Sequence, residues 1–293
     1  MSETKIPDSF GFLSGRDDNG HKNTFGTATV IAGSEYMTGA AVLAADSALR
    51  SGCGLVRVFS EEKTLDAVRA NLPCALLAPR DGSEAETVRM LMSFASAKGA
   101  WLIGPGIPAD DPYLKLILDY ALRNVPQLVL DAGALTLMSH DKQYYYGLLR
   151  DRSTPAILTP HVGEFARLSG LDMTDLSEDE TVKAVSDFAI SNKCIVIFKC
   201  SNSRVATFDG SNYYSGGDFA NSGLAKGGSG DVLAGLVTGL LAQFADKPAE
   251  VSAAAVRIHS LAGKLAADEY GKYPMIPSDI ADFFPEAFRQ VMS

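Results

Sequence analysis

NSGLAKGGSGDVLAG, residues 221–235, crowds small residues immediately before a strongly apolar run. From Val232 onward the pattern is helical, so the glycines stand at a helix start, where the first backbone amides have no intrahelical partner. Such amides face outward at the positive end of the helix dipole and can hold a phosphate. Gly227, Gly228 and Gly230 let the backbone approach an anion closely and take φ > 0 where needed, and Ser229 adds a hydroxyl donor. Asp231 is out of place beside an anion unless it acts as a base or helps to hold a metal, and a hydroxyl that accepts a phosphoryl group needs such a base. The plainer reading makes Asp231 a helix N-cap worth about 1 kcal/mol; three clustered glycines, together with the further segments quoted below, favour the catalytic one. Neither GxxxxGK(S/T) nor a GxGxxG after the first strand is present, which argues against a P-loop or a dinucleotide fingerprint.

Upstream of this loop, short apolar runs alternate with helical patterns. Thr27–Ile31 predicts a strand and Gly39–Leu49 an Ala-rich helix. Strand Leu55–Phe59, helix Lys63–Leu72, strand Ala75–Leu77, helix Ala85–Ala97, strand Trp101–Ile103, helix Tyr113–Leu122 and strand Gln127–Leu130 follow. Repeated βα units predict an α/β fold, a mostly parallel central sheet with helices on both faces. Ala156–Leu158 and Cys194–Phe198 extend it, and Val205–Phe208 with Asn212–Tyr214 predicts a hairpin around Asp209–Gly210, so a few antiparallel strands finish one side. Asp231–Asp246 and Ala249–Tyr270 predict two apolar helices packed on the sheet and on each other.

The 293 residues, 46% hydrophobic and 21% charged, suit one large core. Residues 1–20 predict a polar N-terminal lead, and 21–293 a single domain undivided by linkers or repeats. The net charge of −9, from 26 basic and 35 acidic side chains, argues against nucleic acid or an anionic membrane as partner, so any phosphate site is local. With no apolar leader and no stretch of eighteen apolar residues, the expectation is a cytoplasmic protein. Cys53, Cys74, Cys194 and Cys200 show no CxxC spacing; three lie in apolar stretches and read as buried thiols. No His/Cys cluster or dense carboxylate group has metal-ligand spacing, so no metal-ligating side chain is predicted. The apolar C-terminal helices lead to an expectation of a homo-oligomer, with a tetramer among the forms, although a buried helix reads the same way.

The loop and its Asp resemble the anion hole and base of the ribokinase-like superfamily, and GGSGD, residues 227–231, is similar to its NAD(P)H-hydrate dehydratase branch. Other segments resemble that branch in order and spacing: Lys22, Phe25–Gly26, Gly33–Ser34, Tyr36, Gly39–Ala41 and LRSGCGLV (49–56). IGPGI (103–107), LDAGAL (130–135), LTPHVGEFARL (158–168), HSLAGKLAADEYG (259–271) and Ser278–Ile280 continue the match. Each is weak alone; together, in order, they are specific over about residues 20 to 285. Some members of the branch carry a preceding epimerase domain, and about 25 residues before the first strand are too few for another core, which implies the stand-alone form.

The resemblance implies a ribokinase-like fold and a hydro-lyase that takes a phosphoryl group from ADP or ATP. The ring hydroxyl of the hydrate of NADH or NADPH (NADHX, NADPHX) is phosphorylated and lost as phosphate, which restores the cofactor. It implies Asp231 as base, the amides of Gly228, Ser229 and Gly230 as anion hole, and Lys199, Cys200, Ser201, Asn202, Ser203 and Gly230 as nucleotide contacts. Ala40, Gly104, Gly106, His161 and Asp231 are implied on the hydrate, and Mg²⁺ on the nucleotide phosphates. Cys200 departs from the family's Lys-Gly pattern, and Lys226 adds charge beside the loop.

Several of these residues read two ways. His161 after a Pro is equally a helix cap, Glu164 favours a helix dipole over metal-bound water, and Lys22 meets a substrate phosphate or is merely solvated. His259 reads as core or interface, and Tyr36 borders the nicotinamide ring or packs the following helix. The alternative function is a small-molecule kinase of the same fold, such as a hydroxyethylthiazole or sugar kinase; the GPG, DAGAL and TPHVGEF segments argue against it. A catalytically silent nucleotide-binding protein is the third reading, and the intact Asp231 argues against that one.

Overall fold

Alternate residues along each central strand are apolar and face opposite sides, so the sheet needs cover on both faces. The computed structural model, which describes residues 3–80, 82–95, 98–215 and 219–292, provides that cover. Strand β1 (Thr4–Lys5) precedes β2 (Thr27–Ile31), α1 (Thr38–Arg50), β3 (Leu55–Ser60), α2 (Glu62–Asn71), β4 (Leu76–Pro79), α3 (Glu84–Ala95), β5 (Gly99–Ile103) and α4 (Leu114–Asn124). The chain continues through β6 (Leu128–Leu130), α5 (Gly133–His140), α6 (Lys142–Arg150), β7 (Ile157–Leu158), α7 (Val162–Ser169), α8 (Glu178–Asn192) and β8 (Ile195–Phe198). It ends with β9 (Arg204–Ala206), β10 (Asn212–Tyr214), α9 (Ser229–Gln243), α10 (Pro248–Tyr270), α11 (Pro277–Asp282) and α12 (Phe284–Val291).

The strands make one sheet in the order β1-β10-β9-β8-β7-β6-β5-β2-β3-β4. β9 pairs antiparallel with both β8 and β10, and the other pairings are parallel, so the antiparallel strands lie at one side as expected. Val30, Val58, Leu102, Val129 and Ile195 join the core under α1, α9 and α10, while Ile31, Phe59, Ile103, Leu130 and Val196 join the core under α4, α5 and α8. Strand order reverses between β2 and β5, which creates a crevice at their carboxyl ends of the kind where ligands of open α/β sheets bind.

Helices α1 and α9 cross with almost no space between backbones. A Cβ on Gly235 would meet Ala44 O at 2.1 Å, and one on Gly239 would meet Ala48 O at 2.4 Å. Ser47 Oγ donates to Val232 O at 2.5 Å in the same seam. This contact places the first turn of α9, and with it Asp231, against the sheet's carboxyl end.

Some expectations need correction. The polar lead is tied to the body: Thr4–Lys5 pair with Tyr213–Tyr214, and Ile6, Phe10 and Leu13 are buried in the main core, because their apolar side chains are spaced among polar ones that face water. The first hairpin strand is Arg204–Ala206 rather than Val205–Phe208, since Thr207 begins the turn and bonds back to Ser211. Helices α5, α6, α8, α11 and α12 were not expected. Their signals are weak where tyrosines crowd α6, but α8 carries a readable capping box, Ser177 with Glu180. Ala97, the expected end of α3, lies outside the described residues. Of the cysteines, Cys53 and Cys194 are buried, Cys200 is half-buried and Cys74 is exposed.

Candidate active site

The helix cap at the glycine loop is Gly228, not Asp231. Gly228 holds φ +106°, a left-handed conformation that glycine adopts at little cost, and no side chain caps α9. A Cβ there would also stand 2.7 Å from Leu43 Cδ1 and 3.0 Å from Pro277 Cγ, so α1 and α11 pinch the loop between them. Gly227 has open space around it and needs no positive φ. Ser229 is buried and its Oγ has no partner, leaving a donor at the start of a fifteen-residue helix for a ligand to use. Asp231, free of a capping role, faces the crevice from the same first turn.

Three carboxylates and one ammonium meet here. Asp131 follows β6 and is 1% exposed; Lys199 follows β8; Glu164 projects from the first turn of α7. Lys199 Nζ donates to Asp131 Oδ1 at 2.7 Å and stands 3.9 Å from Glu164 Oε2. A Cβ on Gly230 would lie 3.2 Å from the same nitrogen. Burial alone would pull the Lys199 pKa down, but the carboxylates of Asp131 and Glu164 more than offset this and hold it above the ordinary lysine value. Burial lifts Asp231 from 3.8 to about 7, helped by the like charges of Asp131 and Glu164 and opposed by Lys199. A carboxyl tuned to near neutrality in a crevice has the properties of a general base. Ala132, next to Asp131, adopts φ +47° and ψ −113°, a strained backbone of the sort that clusters at functional sites.

His161 caps α7. Its Nδ1 accepts from Gly163 N at 3.0 Å and Glu164 N at 3.3 Å, while Glu164 Oε2 accepts from His161 N at 2.9 Å, a reciprocal capping box. The ring is otherwise exposed at the carboxyl end of the sheet, beside Lys199 through a parallel bridge. Gly106 packs on Ala40, whose Cβ lies 2.7 Å from where a Gly106 Cβ would start, and Gly33 N donates to Pro105 O at 2.7 Å. Gly104, at φ +121°, sits against Asp131 O. Ala40, Gly104 and Gly106 thus line the β2/β5 crevice, and His161, Lys199 and Asp231 border it from β7, β8 and α9.

A family model described as NAD(P)H-hydrate dehydratase matches residues 28–286. The chain belongs to that family. It is 31% identical over 276 residues to the ADP-dependent (S)-NAD(P)H-hydrate dehydratase of Bacillus subtilis, covering 94% of this chain and 93% of the relative. A crystal structure of the B. subtilis ADP/ATP-dependent NAD(P)H-hydrate dehydratase, co-crystallised with ATP/Mg²⁺, superposes with a TM-score of 0.78 at 29% identity, over 95% of this chain and 94% of that one. A ribokinase-like superfamily protein from Enterococcus faecalis superposes at 0.77 with 26% identity, over 96% and 93%. The expected ribokinase-like fold and the hydro-lyase class follow from this membership.

Against the NAD(P)H-hydrate dehydratase pattern, the two departures have local explanations. Cys200 Sγ donates to Asn202 O at 3.0 Å inside the turn from β8 to β9, where Ser203 Oγ also donates to Cys200 O and Asn202 Oδ1 accepts from Ser215 Oγ. The Lys226 ammonium turns away from the loop and donates to the carbonyls of Tyr273, at 2.6 Å, and Met275. Lys22 lies against Gly54, before β3 begins, and so at the opposite end of the sheet from Asp231. Tyr36 is 91% exposed on the loop that follows Gly33, so it does not pack the next helix. A cleft of about 500 Å³ beside Arg152 is also remote, and its guanidinium is occupied by backbone carbonyls of Leu122, Val125 and Pro126. Asp131 was legible only as part of the LDAGAL match, although a charged residue ending an apolar strand is itself a signal. Among the described residues no helix is long and apolar enough to cross a membrane.

Proposed function

We propose that this protein restores NADH or NADPH from its hydrate at the expense of ADP or ATP, with Asp231 as the base. The observation that carries this reading is a carboxyl raised to about 7, set in the first turn of α9 directly after Gly228–Gly230. Asp231 takes the proton of the ring hydroxyl as its oxygen attacks the terminal phosphorus, and the bond to the nucleotide's bridging oxygen breaks. The amides of Gly228 and Gly230, with Ser229 Oγ, receive the charge on the moving phosphoryl group, whereas the Ser229 amide already donates to Lys226 O at 3.2 Å. The ring nitrogen's lone pair then expels phosphate, and loss of a proton from the neighbouring carbon restores the dihydronicotinamide.

Lys199, Cys200, Ser201, Asn202, Ser203 and Gly230 are assigned to the nucleotide, and Ala40, Gly104, Gly106, His161 and Asp231 to the hydrate. Among the described residues no group of three or more His, Cys, Asp or Glu side chains makes a protein-only metal site. Mg²⁺ would be held largely through nucleotide phosphates and water. The carboxylates of Asp131 and Glu164 would help to hold it, and the ion would neutralise phosphate charge there. The expected homo-oligomer is checked by light scattering.

The test is incubation with Mg²⁺, nucleotide and the purified hydrate, following dihydronicotinamide absorbance and free phosphate. One phosphate and one restored cofactor per nucleotide are expected. A stable phosphoester formed from a sugar or thiazole alcohol, with the hydrate untouched, would replace this reading with the kinase one.

A further inference from the structure

Below the glycine loop lies a histidine for which the chemistry above has no use. His259, on α10, is 8% exposed, and its Nε2 stands 3.0 Å from Ser229 O. A carbonyl oxygen only accepts, so the hydrogen sits on Nε2 and the imidazole donates. Burial lowers its pKa to about 4, opposed in part by the bond to Ser229 O and aided by the Lys199 charge, so the ring is a neutral donor in the physiological range.

The accepting carbonyl belongs to the same peptide unit as the Gly230 amide. In a helix the C=O points toward the C-terminus and the N–H toward the N-terminus, so the imidazole and an anion at the start of α9 grip opposite ends of one amide. Hydrogen bonds in series through one peptide group polarise one another. The loop also holds the unpartnered, buried Ser229 Oγ, the neighbour that such an anion would satisfy.

We propose that His259 is a positioning residue for the anion hole: it fixes and polarises the Ser229–Gly230 peptide so that the Gly230 amide is an aligned, strengthened donor to the phosphoryl group. The proposal rests on reading Gly228–Gly230 as the anion hole. It gives the histidine of the apolar α10 a role that neither core filling nor an interface requires.

The experiment compares wild type with His259→Phe, which removes the donor and keeps bulk, and His259→Gln, whose amide nitrogen reaches about as far as Nε2. kcat, the KM values for hydrate and nucleotide, inhibition by inorganic phosphate, and Tm are measured. In His259→Phe, kcat is expected to fall about tenfold and phosphate inhibition to weaken by a similar factor, with the hydrate KM unchanged. His259→Gln is expected to recover most of both. If His259→Phe yields too little folded protein, His259→Asn, whose amide stops short of Ser229 O, takes its place with the same expectation. A folded donor-less variant that lowers Tm but keeps wild-type kcat and phosphate inhibition overturns the proposal, as does loss that His259→Gln fails to recover. Wild type that does not convert hydrate at all instead sinks the underlying reading.

Discussion

Lys199 Nζ bonds Asp131 Oδ1 at 2.7 Å, so one ion pair joins the carboxyl end of β6 to that of β8 directly beside the first turn of α9. The pair sets the field at Asp231, and its two halves act in opposite directions. Asp131→Asn removes a like charge and frees the ammonium, so the acidic limb of kcat/KM is expected below its wild-type position. Lys199→Met is expected to move that limb upward and to cost about 3–5 kcal/mol in urea unfolding, because it strands a buried carboxylate. Shifts of the same sign in both variants would show that the pair does not tune Asp231.

Asp231→Asn is expected to lower kcat by about 10²- to 10⁴-fold while nucleotide affinity stays within a few-fold, since a general base acts on the transition state. Steady-state kinetics with direct nucleotide titration separates the two effects. Near-normal turnover would remove Asp231 from the chemistry.

The same variant has a signature in stability. Asp231 titrates at 3.8 unfolded and about 7 folded, so between those values the folded state keeps a proton that the unfolded state has lost. Ionising the group therefore costs stability progressively as pH rises through that window, with the full cost above pH 7. Asp231→Asn has no such cost. Its melting temperature is expected to exceed wild type most above pH 7 and least near pH 4, and a pH-independent difference would contradict the raised pKa.

Two glycines of the loop are needed for different reasons. Gly228→Val forces a branched side chain to φ +106° and into Leu43 and Pro277, whereas Gly230→Val drives a side chain into Lys199. Both are expected to weaken nucleotide binding at least tenfold as well as the rate, read by calorimetry. Retained affinity in both would place the phosphate elsewhere.

Helix packing makes a separate prediction. Gly235→Ala puts a methyl 2.1 Å from Ala44 O and is expected to cost about 1–3 kcal/mol, with a fall in kcat as α9 shifts. Gly147→Ala, inside α6 with nothing within 4 Å, is expected to gain about 0.5–1 kcal/mol and leave kcat alone. Chemical denaturation of the two variants distinguishes a packing glycine from a merely permissive one.

The parallel core was legible because β2 and β5 are buried on both faces and read as apolar runs bounded by turns; β2 begins and ends where the β-branched run does. Helices α5 and α6 were not legible, since Gly133 and three consecutive tyrosines obscure their pattern; α5 packs on α4 and α7, and α6 on α4 and α8. Asp231 was singled out because a helix start and its glycines are contiguous and the other family-like segments accompany them. Its contacts were not, although Lys199 and Glu164 were named on other grounds, because the Asp131–Lys199 pair spans 68 positions and no local pattern encodes such a contact. His259 read as core or interface for the same reason: its polar atom is satisfied by a carbonyl 30 residues upstream.

The crevice is assembled from the ends of β2, β5, β6, β8 and α9, elements brought together through parallel pairings with long crossovers. Contacts of such high sequence separation form late and slowly, after loop-closure entropy has been overcome. During refolding from denaturant, helical circular dichroism should therefore return well before turnover does, and catalytic recovery becomes a clock for the last step of sheet assembly.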